Sequence, residues 1–197
     1  MKTLFLICIG AYLAGSINFA ILVFKIRGKK DPRNGFSGNP GVANVYRHSG
    51  YLWAVMVLLL DVGRAVAIAL IASYLLPIWL VPWAGLGLIL GNRLPCFHNL
   101  RGGKGVANYL GFTLVVAPLG AGLSTLGWLL TYALSRIPFI GSFVMVFILG
   151  AGTIAACGYD PAAITGVAVT VALIFYNHKP NVLGLLRKSK SAEPPKA

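Results

Sequence analysis

Two glycine-rich segments with basic residues interrupt an otherwise apolar sequence: SGNPGVANVYR at residues 37–47 and RGGKGVAN at residues 101–108. Glycine permits a positive φ and close backbone approach, so successive backbone N–H groups can converge on an anion. The second segment leads into an apolar run from Val106, where the N-terminus of a predicted helix would attract negative charge. Lys104 adds a mobile charge, and Arg47 adds a planar fork suited to phosphate. Both segments therefore favour the binding of phosphate-sized anions.

Neither segment matches a nucleotide-binding loop. No glycine stands five residues before Gly103, and Lys104 is followed by Gly105 rather than by Ser or Thr, which disfavours a P-loop NTPase. Taken singly, the first segment could be a flexible connector, and the second could be a positive anchor beside a membrane helix. No zinc or redox site is predicted, because the three cysteines are scattered and form no CxxC pair.

The elements that must position these segments are apolar helices. The chain has 197 residues, of which 57% are hydrophobic and only 11% are charged; a soluble domain carries about 25% charged residues. The apolar runs are continuous, which argues against the alternating strands of a β-barrel. The net charge of +13 comes from residues in short loops between apolar segments, so nucleic acid is not an expected partner.

The apolar segments predict an all-α fold, a polytopic integral membrane bundle of about seven transmembrane helices. Basic residues cluster in alternate loops, so the positive-inside rule puts the N-terminus outside and the C-terminus in the cytoplasm. We expect one integral membrane domain over residues 1–187 and a polar, disordered cytoplasmic tail over residues 188–197. The seven predicted segments are 4–24, 51–76, 78–91, 105–118, 120–135, 140–156 and 160–176.

A few polar residues remain outside the two segments. Ser142, near the start of a predicted helix, could be a helix cap or a donor in a site. His178 could carry a proton or could be an ordinary interfacial residue. Asp61 and Arg64 stand at i,i+3 within an apolar segment and can pair. Their pairing is compatible with a functional role or with a structural salt bridge.

These residues resemble the bacterial acyl-phosphate:glycerol-3-phosphate acyltransferases over nearly the whole chain. The matching blocks are Gly15-Ser16-Ile17, Ser37–Arg47, Pro95-Cys96-Phe97 with Arg101–Ala107, and His178 with Lys179 and Asn181. Some positions depart from the family pattern. The departures are Arg64 for the family's Lys, Asn92 for its His, Asn108 for its Thr, Phe139 for a serine of its third block, and the absence of its Gly-x-Glu after the tail motif.

The resemblance implies an enzyme that moves an acyl group from acyl phosphate to the C1 hydroxyl of sn-glycerol 3-phosphate. The products would be lysophosphatidic acid and phosphate, in the first step of phospholipid synthesis, at the cytoplasmic side of the bacterial cell membrane. The expected catalytic residues are Lys104, Arg47, Ser37, Asn39, His178 and Asn181. The expected substrate-binding residues are Gly38, Gly41, Asn44, Gly102, Gly103, Gly105 and Ser142.

The proton of the attacking hydroxyl needs an acceptor, and the sequence leaves Asp31, His178 or an oxygen of the donor phosphate. We favour the donor phosphate, with backbone N–H groups and Lys104 stabilising the developing charge. We expect no metal, no cofactor and a monomer, with the two substrates and the lipid bilayer as partners. The alternatives are a small organic-anion transporter or channel, which should bind near the membrane midplane, and a non-catalytic binder of anionic lipid.

Overall fold

The computed structural model describes residues 1–191, with side chains through residue 187. No β-strand occurs in this part of the chain, which confirms the all-α prediction. Its helices are α1 (Lys2–Gly15), α2 (Phe19–Ile26), α3 (Val42–Ser49), α4 (Tyr51–Leu75), α5 (Val81–Arg93), α6 (Val106–Val116), α7 (Pro118–Ser135), α8 (Pro138–Ala156), α9 (Pro161–Asn177) and α10 (Lys179–Ser191), with 3₁₀ turns at Pro32–Asn34 and Ile78–Leu80.

Each of the seven predicted apolar segments contains at least one helix. By length and composition, three helical stretches within residues 1–187 are apolar enough to cross a membrane: Lys2–Ile26, Tyr51–Leu75 and Pro138–Ala156. A fourth results if α9 and Lys179–Arg187, which meet at an angle of 41°, form one broken span. The prediction of seven spans and the orientation of the termini stay predictions.

The last helix, α10, extends through residues 188–191, which the sequence analysis assigned to a disordered tail. The rest of that predicted tail, residues 192–197, lies outside the described residues.

The first predicted helix is broken between α1 and α2, and Arg64 of α4 binds the break. Its Nη1 donates to the carbonyl oxygens of Ala14, at 3.2 Å, and of Ile17. Its Nη2 forms the predicted ion pair with Asp61, at 2.9 Å, and donates to the side chain of Asn108. Because a break in a helix removes backbone hydrogen bonds, the arginine supplies donors to carbonyl groups at the break and connects it to α4 and α6.

The helices on either side of the second glycine-rich segment, α5 and α6, pack with their backbones in close contact with neighbouring helices. A Cβ at Gly91 of α5 would overlap the carbonyl oxygen of Tyr12 in α1. A Cβ at Gly111 of α6 would lie 2.6 Å from the carbonyl oxygen of Val62 in α4. Small residues permit this packing in apolar bundles. The end of α5 and the start of α6 are therefore held in place by α1 and α4.

A separate apolar cluster anchors α3. Val45 of α3 is fully buried, with Phe24 of α2 and Val57 of α4 among the other buried members of the cluster. Burial of side chains of this size stabilises by about 1.5–3 kcal/mol each. The short helix is therefore fixed to the bundle, together with the polar residues that it carries.

Candidate functional site

Loop 1, residues 27–41 between α2 and α3, is an ordered structure built around Asn44. The side chain of Asn44 is buried, and its Nδ2 donates to the carbonyl oxygens of Pro32, at 2.7 Å, and Gly35, at 3.4 Å. Its Oδ1 accepts from the backbone N–H and the hydroxyl of Ser37, at 3.3 and 3.1 Å. Asn44 therefore uses its polar groups to shape loop 1, and the flexible-connector alternative does not describe this segment. Binding of substrate by Asn44 and Ser37 stays a prediction.

Glycines allow the turns that follow in loop 1. Gly38 has φ +64°, in the left-handed region. A Cβ at Gly41 would lie 2.7 Å from Nδ2 of Asn39, so the asparagine side chain occupies the space that a larger residue would need. Gly41 then forms the N-cap of α3, a helix that is not among the predicted segments. Arg47 lies in the last turn of this helix, is exposed, and makes no hydrogen bond or ion pair within residues 1–187.

Loop 2, residues 94–105 between α5 and α6, corrects the predicted anion nest. The N–H groups of Gly102 and Gly103 donate to the carbonyl oxygens of Arg93, at 3.1 Å, and Asn92, at 2.8 Å, and so are not available to a ligand. A Cβ at Gly102 would overlap the carbonyl oxygen of Asn92, and one at Gly103 would lie 2.8 Å from its Nδ2. These two glycines therefore pack loop 2 against the end of α5.

The unpaired amides begin two residues further on. The backbone N–H groups from Lys104 to Asn108 make no hydrogen bond in the part of the chain that the structure describes. Gly105, with φ +96°, is the N-cap of α6, which begins at Val106 as predicted. Free N–H groups and the helix dipole favour an anion at such a position. The glycine-rich segment can thus bind an anion through the predicted helix N-terminus, with the amide of Gly105 but without those of Gly102 and Gly103.

Lys104 projects toward the C-terminal helices. Its Nζ donates to Oδ1 of Asn181 in α10, and its backbone carbonyl accepts from Nδ2 of Asn177, at 3.3 Å. Burial, and to a smaller extent the nearby positive charges of Arg47 and Arg93, together lower the pKa of Lys104 to about 8. The structure thus brings together three of the predicted residues, Lys104, Arg47 and Asn181, in one electropositive cluster.

His178 lies at the junction of α9 and α10 and is buried. Its Nδ1 is 2.8 Å from the carbonyl oxygen of Ile174, and its ring packs edge-to-face with that of Phe143, with 5.3 Å between the ring centroids. Because a carbonyl oxygen only accepts, Nδ1 carries hydrogen and Nε2 is the remaining acceptor of the neutral ring. The neighbouring Ser142 donates to the carbonyl oxygen of Pro138 in its own helix, at 3.1 Å.

A cavity of about 610 Å³ is lined by residues of both loop 1 and loop 2. Two predicted residues, Gly38 of loop 1 and Gly102 of loop 2, are among the residues that line it. Three guanidinium groups also line it, and the single carboxylate in its wall, Asp31, is paired with one of them. The full lining is Asp31, Arg33, Asn34, Gly38, Arg93, Asn99, Arg101 and Gly102.

Arg93 and Arg101 line the cavity but are not among the site residues expected from the sequence. Neither side chain has a hydrogen bond or ion-pair partner within residues 1–187. Arg93 lines the cavity and also acts on the charge of Lys104, so it connects the two electropositive regions. The available signal was the concentration of basic residues immediately before the GGKG sequence.

Comparison with known proteins gives consistent matches. A family model described as glycerol-3-phosphate acyltransferase matches residues 5–188. The glycerol-3-phosphate acyltransferase of Pseudomonas paraeruginosa is 37% identical over 182 residues, which cover 91% of this chain and 94% of the relative. The enzyme of that name from Methylobacillus flagellatus is 37% identical over 187 residues, covering 93% of each chain.

Two solved structures are similar in fold. One is PlsY, an integral membrane glycerol 3-phosphate acyltransferase, in its glycerol 3-phosphate form, with a TM-score of 0.87, 35% identity, and coverage of 95% of this chain and 94% of that one. The other is the lysophosphatidic acid form, with a TM-score of 0.84, 34% identity, and coverage of 95% and 93%.

Proposed function

This chain belongs to the glycerol-3-phosphate acyltransferase family of integral membrane enzymes, and on that basis we propose that it acylates the C1 hydroxyl of sn-glycerol 3-phosphate. The proposed donor is a long-chain acyl phosphate, and the products are lysophosphatidic acid and inorganic phosphate. The enzyme would act as a monomer at the cytoplasmic side of the bacterial inner membrane, in the first step of phospholipid synthesis. The two related structures, with glycerol 3-phosphate and with lysophosphatidic acid, support this acceptor and this product.

The observation that carries the proposal is the continuity of two electropositive regions. Lys104 and Arg47 form one region, the cavity with Arg93 and Arg101 forms the other, and Arg93 belongs to both. Both substrates of the proposed reaction carry a phosphate, and each phosphate needs charge-assisted donors. Two adjoining regions can hold the two phosphates side by side, with the acyl chain directed toward lipid.

The chemistry follows from positioning and electrostatics. The glycerol C1 oxygen attacks the acyl carbonyl, the bond from that carbon to the phosphate oxygen breaks, and phosphate leaves. The free N–H groups at the start of α6 are suited to stabilise the charge that develops on the donor. The Lys104 ammonium serves both substrates in this proposal: it binds the phosphate of glycerol 3-phosphate and helps to stabilise the charge on the donor. An acyl phosphate is already activated, so holding both substrates in line supplies much of the acceleration.

The acceptor of the hydroxyl proton is the donor phosphate in this proposal. Asp31 is a poor base, because its ion pair with Arg33 lowers its pKa below the ordinary value. His178 offers only Nε2, since Nδ1 faces the Ile174 carbonyl. The phosphate that leaves the acyl group lies next to the attacking hydroxyl by necessity, so it can take the proton without any further group.

The test is acyl transfer by the purified protein in lipid, given palmitoyl phosphate and glycerol 3-phosphate. Release of phosphate should match formation of lysophosphatidic acid, and omission of glycerol 3-phosphate should abolish both. Lys104→Ala should lose most of the activity, while Lys2→Ala, which removes an exposed lysine in the first turn of α1, should keep it. Folded wild-type protein that releases no phosphate would contradict the proposal.

A further inference from the structure

We propose that Asp31 and Arg33 form an interloop latch, a positioning pair that sets the separation of loop 1 and loop 2 and so aligns the two phosphates. This inference rests on the proposed function. Neither residue is expected to touch substrate. Arg33 belongs to loop 1, and it binds backbone carbonyls of loop 2 that lie 65 and 68 residues further along the chain.

Asp31 fixes the direction of the Arg33 side chain. Its Oδ1 accepts from the backbone N–H of Arg33 at 2.8 Å and so caps the 3₁₀ turn Pro32–Asn34. Its carboxylate also accepts from Nε, at 2.9 and 3.1 Å, and from Nη2, at 2.6 Å. This two-nitrogen contact between a planar guanidinium and a carboxylate fixes the orientation of the guanidinium as well as balancing its charge. The remaining nitrogen, Nη1, is thereby aimed at loop 2.

Nη1 of Arg33 holds a turn of unusual conformation. It donates to the carbonyl oxygens of His98, at 2.8 Å, and Arg101, at 2.9 Å. The two residues between these carbonyls, Asn99 and Leu100, both have φ +55°. A non-glycine residue in the left-handed region is strained and persists only when its surroundings hold it there. The arginine contacts both ends of this strained turn.

Arg33 differs from the other arginines of the cavity because its N–H groups are hydrogen-bonded within the protein. A guanidinium has five N–H groups, and Nε, both hydrogens of Nη1 and one of Nη2 are already engaged within the protein. Its charge is balanced by Asp31. Arg93 and Arg101 have no such partners within residues 1–187 and remain available to anions. Arg33 therefore positions loop 2, whereas Arg93 and Arg101 are the arginines that can bind anions.

Loss of the latch should misalign the substrates more than it weakens their binding. Residues from loop 1 and residues from loop 2 line the same cavity, so the spacing of the two loops sets the distance between groups bound to each of them. A misplacement of 1 Å can lower a rate by about 100-fold. We expect Arg33→Ala to lower kcat at least about tenfold while KM for each substrate changes less than about threefold.

The experiment combines kinetics with hydrogen exchange on the full-length protein in lipid nanodiscs. The variants are Arg33→Ala, Arg33→Lys, Asp31→Asn and the double variant of Arg33→Ala with Asp31→Asn. The matched control is Arg136→Ala, which removes an exposed arginine at the end of α7. In Arg33→Ala, amides 99–103 should exchange at least about tenfold faster while the amides of α4 and α7 keep their rates. Arg33→Lys should not rescue kcat, because one ammonium cannot reproduce the fork. Asp31→Asn should have little effect once Arg33 is already alanine.

Several outcomes would overturn the latch. A wild-type kcat in Arg33→Ala would do so, as would a raised KM with unchanged kcat, which indicates direct substrate binding. A lower kcat without faster exchange in loop 2 would also contradict it. If Arg33→Ala does not fold, Arg33→Lys and Asp31→Asn decide by the same two measurements. If the wild type transfers no acyl group, the proposed function fails, and the exchange of amides 99–103 alone decides whether Arg33 holds loop 2.

Discussion

Binding of glycerol 3-phosphate should weaken as the pH rises through about 8, because Lys104 loses its charge there. An ordinary lysine, with a pKa of 10.5, would stay protonated across the working range of most assays. Burial, Arg47 and Arg93 together lower the pKa of Lys104 into that range. An alkaline limb in the pH profile is therefore expected from this residue.

The magnitude follows from the titration. A group with a pKa of about 8 is about 90% protonated at pH 7 and about 10% protonated at pH 9. If only the charged form binds the acceptor, kcat/KM for glycerol 3-phosphate falls about tenfold between these two values. The phosphate of the acceptor, with a second pKa near 6, is a dianion over the same interval and adds no further change.

Two substitutions identify the titrating group. Lys104→Arg keeps a charge at every pH, so its remaining activity should lose the alkaline limb between pH 7 and pH 9. Arg93→Gln removes one of the charges that repel the ammonium, so the midpoint of the limb should move to higher pH. The midpoint must move upward, because removing a nearby positive charge favours the protonated form of lysine.

The assay is phosphate release at saturating acyl phosphate, with glycerol 3-phosphate varied from pH 6 to pH 10. The rate without acceptor is subtracted at each pH, since acyl phosphates also hydrolyse. An alkaline limb that persists in Lys104→Arg would refute the assignment to Lys104. A midpoint that does not move in Arg93→Gln would refute the argument that Arg93 acts on its charge.

Two further predictions concern stability. Gly102→Ala should lower the melting temperature and abolish activity, because its Cβ would overlap the carbonyl oxygen of Asn92. Overpacking of this kind costs about 1–3 kcal/mol or more. The control is Gly122→Ala, which has open space around the Cβ and should melt like wild type. Arg64→Ala should destabilise by about 3–5 kcal/mol because it leaves the buried Asp61 without its partner. Combination with Asp61→Asn should restore part of the loss, measured by thermal unfolding in detergent, whereas equal stability of Arg64→Ala and wild type would contradict the role of this pair.

The helices and their approximate ends could be predicted from the sequence, because long apolar runs have few alternatives to helices in a membrane. The start of α6 at Val106 and the Asp61–Arg64 pair were predicted for similarly local reasons. The helix α3 was missed, since its eight residues, VANVYRHS, mix polar and apolar types and gain their stability from burial of Val45 against other helices.

The parts of the site that escaped prediction depend on contacts between distant residues. The sequence indicates that Gly102 and Gly103 favour close backbone approach, but it does not indicate that the approaching group is the end of α5 rather than a ligand. In the sequence, Asn44 is a possible donor to a ligand. In the folded protein, both its amide oxygen and its amide nitrogen are hydrogen-bonded to residues of loop 1. Arg33 reaches carbonyls of loop 2, and no local pattern predicts such a contact.

The most direct test of the central claim is simultaneous measurement of phosphate and lysophosphatidic acid from palmitoyl phosphate and glycerol 3-phosphate. We predict equal amounts of the two products from wild type and from Lys2→Ala, and little of either from folded Lys104→Ala. Full activity in Lys104→Ala would contradict the role of the electropositive cluster. Folded wild-type protein that forms neither product would contradict the proposed acyl transfer itself.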